Sequence, residues 1–381
     1  MNVSEDGPSL FIQFAGQGVK YMEDLRRLYT MYPDIRPFMA AAISEIKNQA
    51  SVYDDSRTGF FEKGLDVDQW IAHPEKTPDL TYLLSSPLSH PLIFLTQISS
   101  YLSMVLEGMD QDTLLANTHS ATGFSTGIVA AVLVSLGLPY EDFCREAIKV
   151  QAMFFWQGVR CQESMLKFGV NPRLSADRYD SAEGSPSCMA SITNLPRSRL
   201  DEAIASFSDR GTVYPAYELF PGRWIVAGLP DDLEAFNRMI KEKYQTGTTW
   251  RYIPSTIGAH SPFLAHAYET SPRDASVLGL SFSGRDMKIP VWSNDTGEDL
   301  RSFDNIIDEV MRAYFLHPAY FRKQIKPVLP PTRIRYVLDF GPGTGVATLT
   351  ENHSARSGVQ VIRCTIPLGR KKLFEEVLPG L

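Results

Sequence analysis

The stretch Gly123-Phe124-Ser125-Thr126-Gly127 constrains this chain more than any other. Glycines two residues before and two residues after a serine permit a turn too sharp for larger side chains. Residues 113–118 (Thr-Leu-Leu-Ala-Asn-Thr) read as a strand end leading into the turn. From Ile128 to Leu138 the chain is almost wholly apolar and reads as a buried helix. A serine on such a strand-to-helix turn forms a nucleophile elbow, with the helix N-terminus offering backbone N–H groups to a developing oxyanion.

A nucleophilic serine needs a base. The histidines are His73, His90, His119, His260, His266, His317 and His353. His260 stands out, because it follows a strand-like segment in a turn bounded by Gly258 and Pro262. Its far ring nitrogen requires an orienting acceptor. No aspartate stands in an obvious place for that, so a backbone carbonyl serves equally well. Ser120, in His119-Ser120-Ala121, lacks glycines at the right spacing and reads as strand-end packing. No His-Glu-x-x-His, Cys-x-x-Cys or Walker lysine competes with the serine. The pattern predicts a serine acyl-transferring enzyme.

Composition narrows the setting. The 381 residues suffice for a large core and for two or three domains. A net charge of −7 offers no support for a nucleic-acid partner. Cys144, Cys161, Cys188 and Cys364 are dispersed, in no metal-ligand spacing, which fits a reducing compartment. The N-terminus shows no export signal, and the apolar run 128–138 is too short to span a bilayer. The expectation is a cytoplasmic protein with no membrane contact.

Along the chain, Leu10–Phe14 reads as a buried strand followed by the glycine-rich turn Ala15-Gly16-Gln17-Gly18. Helical spacing recurs over 23–48, 92–107 and 140–166, and the polar stretch 168–187 reads as a loop. The order then changes. Strands at 189–193, 213–218, 223–227 and 249–254 alternate with helices at 197–207 and 230–243. That β-α-β-β-α-β order is ferredoxin-like. Afterwards α/β patterning returns, with strands at 291–293, 333–340 and 359–364 and helices at 303–315 and 343–350. The fold expected is α/β: a large α/β-hydrolase-like domain with a parallel sheet, built from 1–187 and 256–381 and interrupted by a ferredoxin-like subdomain over 188–255. A cleft between them is the natural ligand site.

Two rival readings fail on architecture. Asp339-Phe340-Gly341-Pro342-Gly343-Thr344-Gly345 matches a dinucleotide or methyltransferase fingerprint, but too few residues follow it to build the βα units such a domain needs. It reads instead as a strand–turn–helix that closes the sheet and lines the cleft floor. A generic α/β-hydrolase places its oxyanion loop shortly upstream of the serine, whereas Gly16-Gln17-Gly18 lies far upstream of Ser125.

Phe14-Ala15-Gly16-Gln17-Gly18, the serine elbow and His260-Ser261-Pro262 together resemble the malonyl/acetyl-transferase family of fatty acid and polyketide synthases. The resemblance is strongest to the acetyltransferase domain of the fungal fatty acid synthase β subunit. Asp79-Leu80-Thr81-Tyr82-Leu83-Leu84, Gly158-Val159-Arg160-Cys161, Ser191-Ile192-Thr193-Asn194-Leu195 and the Asp339–Gly343 run carry it over nearly the whole chain. The resemblance implies that Ser125 is acylated by an acyl thioester and that His260 is the base. It implies an oxyanion hole from the backbone N–H groups of Gln17 and Thr126, and an imidazole held by the carbonyl of His317. The reaction implied is ping-pong, from acyl-CoA through acyl-serine to the phosphopantetheine thiol of an acyl carrier protein, with no resident cofactor.

Departures from the family bear on the acyl group. Malonyl-selective members carry an arginine about 25 residues after the serine, clamping the free carboxylate. Gln151 stands there in this chain, and helical spacing puts Lys149 and Arg160 off its face. An unpaired buried carboxylate costs several kcal/mol. Phe124 replaces the histidine usual beside the serine, as in starter-unit transacylases of fungal polyketide synthases, which however use cysteine as nucleophile. Ala259 replaces a phenylalanine common in malonyl-specific members. With Met153, these residues predict a pocket for an uncharged acyl group, acetyl or somewhat longer. Two alternatives stay open at this level: a thioester hydrolase using the same Ser-His pair, and a non-catalytic docking domain. Arg251, Arg322 and Lys323 are weak candidates for carrier contact.

Overall fold

The computed structural model describes residues 9–170, 183–244 and 247–380. Most of the loop expected at 168–187 lies outside the described residues. β1 (Leu10–Phe14) is buried at every position, as a strand covered on both faces must be. It is flanked by β2 (Thr118–Gly123) and β8 (Tyr336–Asp339), and β9 (Gln360–Arg363) completes the parallel order β2-β1-β8-β9. Strands from both ends of the chain therefore share one sheet.

Helices cover this sheet. α1 (Met22–Met31) and α2 (Arg36–Val52) precede α3 (Ser86–Leu106), which is almost entirely buried despite Pro91 within it. α4 (Gly127–Ser135) is apolar all round and buried at every residue, the pattern of a central helix rather than a surface one. α5 (Tyr140–Leu166) packs along α3. A Cβ on Gly158 would stand 2.4 Å from the Ser86 carbonyl oxygen, so glycine permits that approach.

The second sheet has the order β6-β3-β5-β4-β7, from β3 (Met189–Thr193), β4 (Val213–Phe220), β5 (Arg223–Gly228), β6 (Thr249–Ile253) and β7 (Ala319–Tyr320). The first four are antiparallel neighbours in the ferredoxin-like order. Alternation divides their side chains. Ala190, Ile192, Trp224, Val226 and Trp250 pack with α6 (Arg197–Phe207) and α7 (Pro230–Tyr244). Met189, Tyr217, Leu219, Ile225 and Ala227 join the large core instead. After α8 (Ala265–Val277) and α9 (Ile306–Leu316), β7 pairs with β4, and α10 (Gly345–Ser354) follows β8.

Three expectations need correction. Residues 113–118 are not a strand end. Gln111–Ala116 is a short helix, because the Asp110 side chain accepts from the Thr113 N–H and caps it. Residues 291–293 form only bridges, Val291 to Ala121 and Trp292 to Asp299. The Asp339–Gly345 motif does not close the sheet, since β8 is interior and β9 forms the edge.

Candidate active site

The turn after β2 is built by close backbone contact. A Cβ on Gly123 would stand 1.9 Å from the Gly127 carbonyl carbon, and one on Gly127 2.3 Å from the Ala15 oxygen. A Cβ on Gly16 would stand 2.3 Å from the Phe124 oxygen. These glycines bring the strand end, the helix start and the Gly16-Gln17 loop together. Ser125 has φ +54°, a left-handed conformation uncommon outside glycine. Asn294 holds it there. The Ser125 N–H donates to Asn294 Oδ1 at 3.3 Å, and Asn294 Nδ2 donates to the Ser125 carbonyl at 3.1 Å.

Ser125 Oγ lies 2.9 Å from His260 Nε2, with both residues buried. His260 also sits at positive φ, +56°. Its Nδ1 lies 3.0 Å from the His317 carbonyl, which can only accept, so Nδ1 carries the proton and Nε2 is free to accept from Oγ. Burial pushes His260 down to about 4, opposed by the carbonyls of His317 and Ala313 and by the charge of Asp295. The imidazole is therefore neutral at physiological pH. Tyr217 and Tyr314 each stand edge-on to it, ring centroids 5.4 Å away.

The Gln17 side chain is engaged elsewhere. Its Nε2 lies 2.9 Å from Ser89 Oγ and 2.9 Å from His90 Nδ1, while Tyr314 donates to its Oε1 at 3.3 Å. His90 Nε2 lies 2.6 Å from the Tyr314 hydroxyl, and burial lowers His90 to about 4. Gln97 donates to the Ala15 carbonyl, anchoring the start of the same loop. Among the described residues, the backbone N–H groups of Gln17 and Thr126 have no protein acceptor. They stand on the two segments that Gly16 brings into contact.

Phe124 stacks on Tyr217 with centroids 4.3 Å apart and also meets Phe321 at 5.9 Å. Ala259 and Met153 are buried in the large core. Gln151 is buried on α5, where its Nε2 donates to the Pro91 carbonyl at 2.8 Å. Gln157 is the glutamine facing α9, with Nε2 2.7 Å from Met311 Sδ, one turn before Tyr314. Lys149 pairs with Glu146, and Arg160 with Glu163 and Asp274, so the cations of this helix face carboxylates. Arg251, Arg322 and Lys323 are exposed, and Lys323 Nζ also donates to the Asp295 carbonyl at 3.0 Å. Ser120 lies within β2, paired with Phe11, its hydroxyl 2.8 Å from His119 Nδ1. Asn294, Asp295, His90, Tyr217 and Tyr314 escaped sequence reasoning. Only the turn-like Asn294-Asp295-Thr296-Gly297 carried a local signal, and it pointed to a turn, not to Ser125.

Among the described residues no group of histidines, cysteines and carboxylates is arranged to hold a metal, and no helix is long and apolar enough to cross a membrane. Comparison with known proteins agrees with the architecture. The family described as starter unit:ACP transacylase in aflatoxin biosynthesis matches residues 12–256. The fatty acid synthase beta subunit TOXC of Cochliobolus carbonum is 31% identical over 96% of this chain. The fatty acid synthase subunit beta of Saccharomyces cerevisiae is 29% identical over 94%. The chain spans 18% of the length of each. Among solved structures, MCAT from Streptococcus pneumoniae superposes with a TM-score of 0.68 at 19% identity, covering 96% of this chain and 100% of that one. A type II polyketide synthase malonyl-transacylase, solved in complex with its acyl-carrier protein, gives 0.67 at 17%, covering 96% and 99%. With this parallel sheet, its ferredoxin-like insertion and a family match over most of its length, the chain belongs to the starter unit:ACP transacylase family.

Proposed function

We propose that this chain transfers an uncharged acyl starter, acetyl or a short to medium chain, from acyl-CoA to the phosphopantetheine thiol of an acyl carrier protein. The observation that carries the reading is the Ser125 Oγ–His260 Nε2 distance of 2.9 Å, with Nδ1 oriented by the His317 carbonyl. Ser125 Oγ attacks the thioester carbonyl as its proton moves to His260 Nε2. Charge on the former carbonyl oxygen is met by the Gln17 and Thr126 N–H groups. The C–S bond then breaks, and the leaving thiolate takes the proton from His260. In the second half the carrier thiol gives its proton to His260 and attacks the acyl-serine; the C–Oγ bond breaks and Ser125 Oγ takes the proton back from His260.

The uncharged substrate is supported by the cations of α5. Lys149 and Arg160 are held by carboxylates, leaving neither to pair with a malonyl carboxylate. Phe124, Gln151, Met153 and Ala259 are the residues proposed to shape the acyl pocket.

The test is intact-protein mass spectrometry after incubation with acetyl-, butyryl-, hexanoyl-, octanoyl- and malonyl-CoA, then a chase with acyl carrier protein. The expected result is a Ser125-dependent adduct of an uncharged acyl group that passes to the carrier and is absent in Ser125→Ala. An adduct lost to water without reaching the carrier identifies a hydrolase. No adduct from any donor overturns the catalytic reading.

A further inference from the structure

The residue whose carbonyl holds His260 is itself held by its side chain. His317 Nδ1 lies 2.8 Å from Asp295 Oδ2, and Asp295 is only 6% exposed. The Asp295 carboxylate also accepts from Ser293 Oγ and from the Thr296 N–H, the latter at 2.8 Å, while Lys323 Nζ donates to its backbone carbonyl at 3.0 Å. Arg312 Nη1 lies 2.9 Å from the same Nδ1 and 3.2 Å from Nε2, and Arg312 is paired with Glu309 and stands 4.0 Å from Asp295 Oδ2. Burial alone would raise the Asp295 carboxyl, but the hydrogen bonds from Ser293, His317 and Thr296 outweigh it and hold it below the ordinary value.

We infer that Asp295 is a positioning residue of this site: through the His317 side chain it fixes the His317 carbonyl on His260 Nδ1 and lends negative charge to the base. The inference rests on the proposed roles of Ser125 and His260. His317 follows α9 as an extended residue, φ −107° and ψ 140°, with a half-buried side chain. Its imidazole is held by Arg312 from α9 and by Asp295 from the loop, and the residue before Asp295, Asn294, clamps Ser125. One short segment thus sets the distance between nucleophile and base. When the serine proton reaches Nε2 the imidazole becomes cationic, and the buried carboxylate beyond His317 opposes the desolvation cost. The groups facing His317 are Asp295 from the loop and Arg312 with its partner Glu309 from α9, with Lys323 behind Asp295.

The experiment combines acylation kinetics with proton NMR of the histidine ring N–H groups. In the wild type, the His260 Nδ1 proton gives a low-field signal, assigned by its loss in His260→Ala. Asp295→Asn is expected to weaken or abolish that signal and to slow acylation by acetyl-CoA about 10- to 100-fold, without change in the donor concentration for half-saturation. The acid limb of the rate profile should move to lower pH, and Asp295→Glu should restore part of the rate. Asp295→Asn combined with His317→Ala should fall short of additivity, because the positioning part of the carboxylate's effect acts through that side chain. An unchanged His260 signal with wild-type acylation in Asp295→Asn overturns the inference, as does full additivity of the two substitutions. If the wild type forms no acyl-serine, the catalytic reading fails; the NMR signal then decides by itself whether Asp295 holds His260.

Discussion

Asn294 and Ser125 exchange two hydrogen bonds across 169 residues of sequence, each backbone group of the serine meeting one end of the same amide. The contact holds a serine in a left-handed conformation that costs on the order of 1 kcal/mol or more. Tyr217 lies behind it, its hydroxyl 3.4 Å from the same Oδ1.

Asn294→Ala should therefore slow Ser125 acylation while leaving the fold intact. Losing both bonds removes roughly 1.5–3 kcal/mol of restraint, or about 10- to 100-fold in rate. Stopped-flow release of CoA, with circular dichroism as the check on folding, measures it. Wild-type acylation would show that the elbow holds the serine unaided.

Acid should weaken the protein through its buried histidines. His90 and His260 are both lowered to about 4, whereas the unfolded chain takes up these protons near 6.5. Below that pH the unfolded state binds more protons, so stability falls as pH falls, by about 1.4 kcal/mol per pH unit for each histidine. The loss is complete once the pH passes below the folded value. Denaturant melts at pH 7 and pH 5 test this, with His90→Gln expected to lose less stability than the wild type; Asp339, whose carboxyl burial raises to about 7, acts in the opposite sense over this interval. Acylation itself should retain its rate to about pH 5 and fall near 4.

Malonyl loading should respond more to Gln157→Arg than to Gln151→Arg. The two positions lie six residues apart, roughly 9 Å along the helix. Gln157 faces Met311, next to the tyrosine that packs on His260, while Gln151 faces Pro91. Competition between acetyl- and malonyl-CoA, read by mass spectrometry, reports the ratio. A larger gain in Gln151→Arg would place the carboxylate-binding position there.

Gly123→Ala should destabilise the fold by several kcal/mol, because a methyl 1.9 Å from the Gly127 carbonyl carbon forces the elbow apart. Gly108→Ala is the contrast: nothing lies within 4 Å of its Cβ, and its cost comes from φ +107° alone. Thermal unfolding of both variants, with acylation of the survivors, separates crowding from backbone strain.

Much of this architecture was legible because local pattern and tertiary environment agree. Buried parallel strands need continuous apolar runs, so Leu10–Phe14 announced itself, and the ferredoxin-like insertion followed from alternation and turn residues. The strand expected at 113–118 failed because the Asp110 cap favours a helix over the same apolar residues.

The chain alone determined the nucleophile and base candidates, since a strained turn demands glycines at set spacings and few histidines lie in constrained turns. Which residues support that pair was a matter for the tertiary structure. Asn294, Asp295, Tyr217 and Tyr314 come from segments far apart in sequence, and a hydrogen bond depends on where two atoms end up rather than on the residues beside them. The same reason divides Gln151 and Gln157 of α5: periodicity assigns each to a helix face, but only packing against α3 and α9 decides what that face meets.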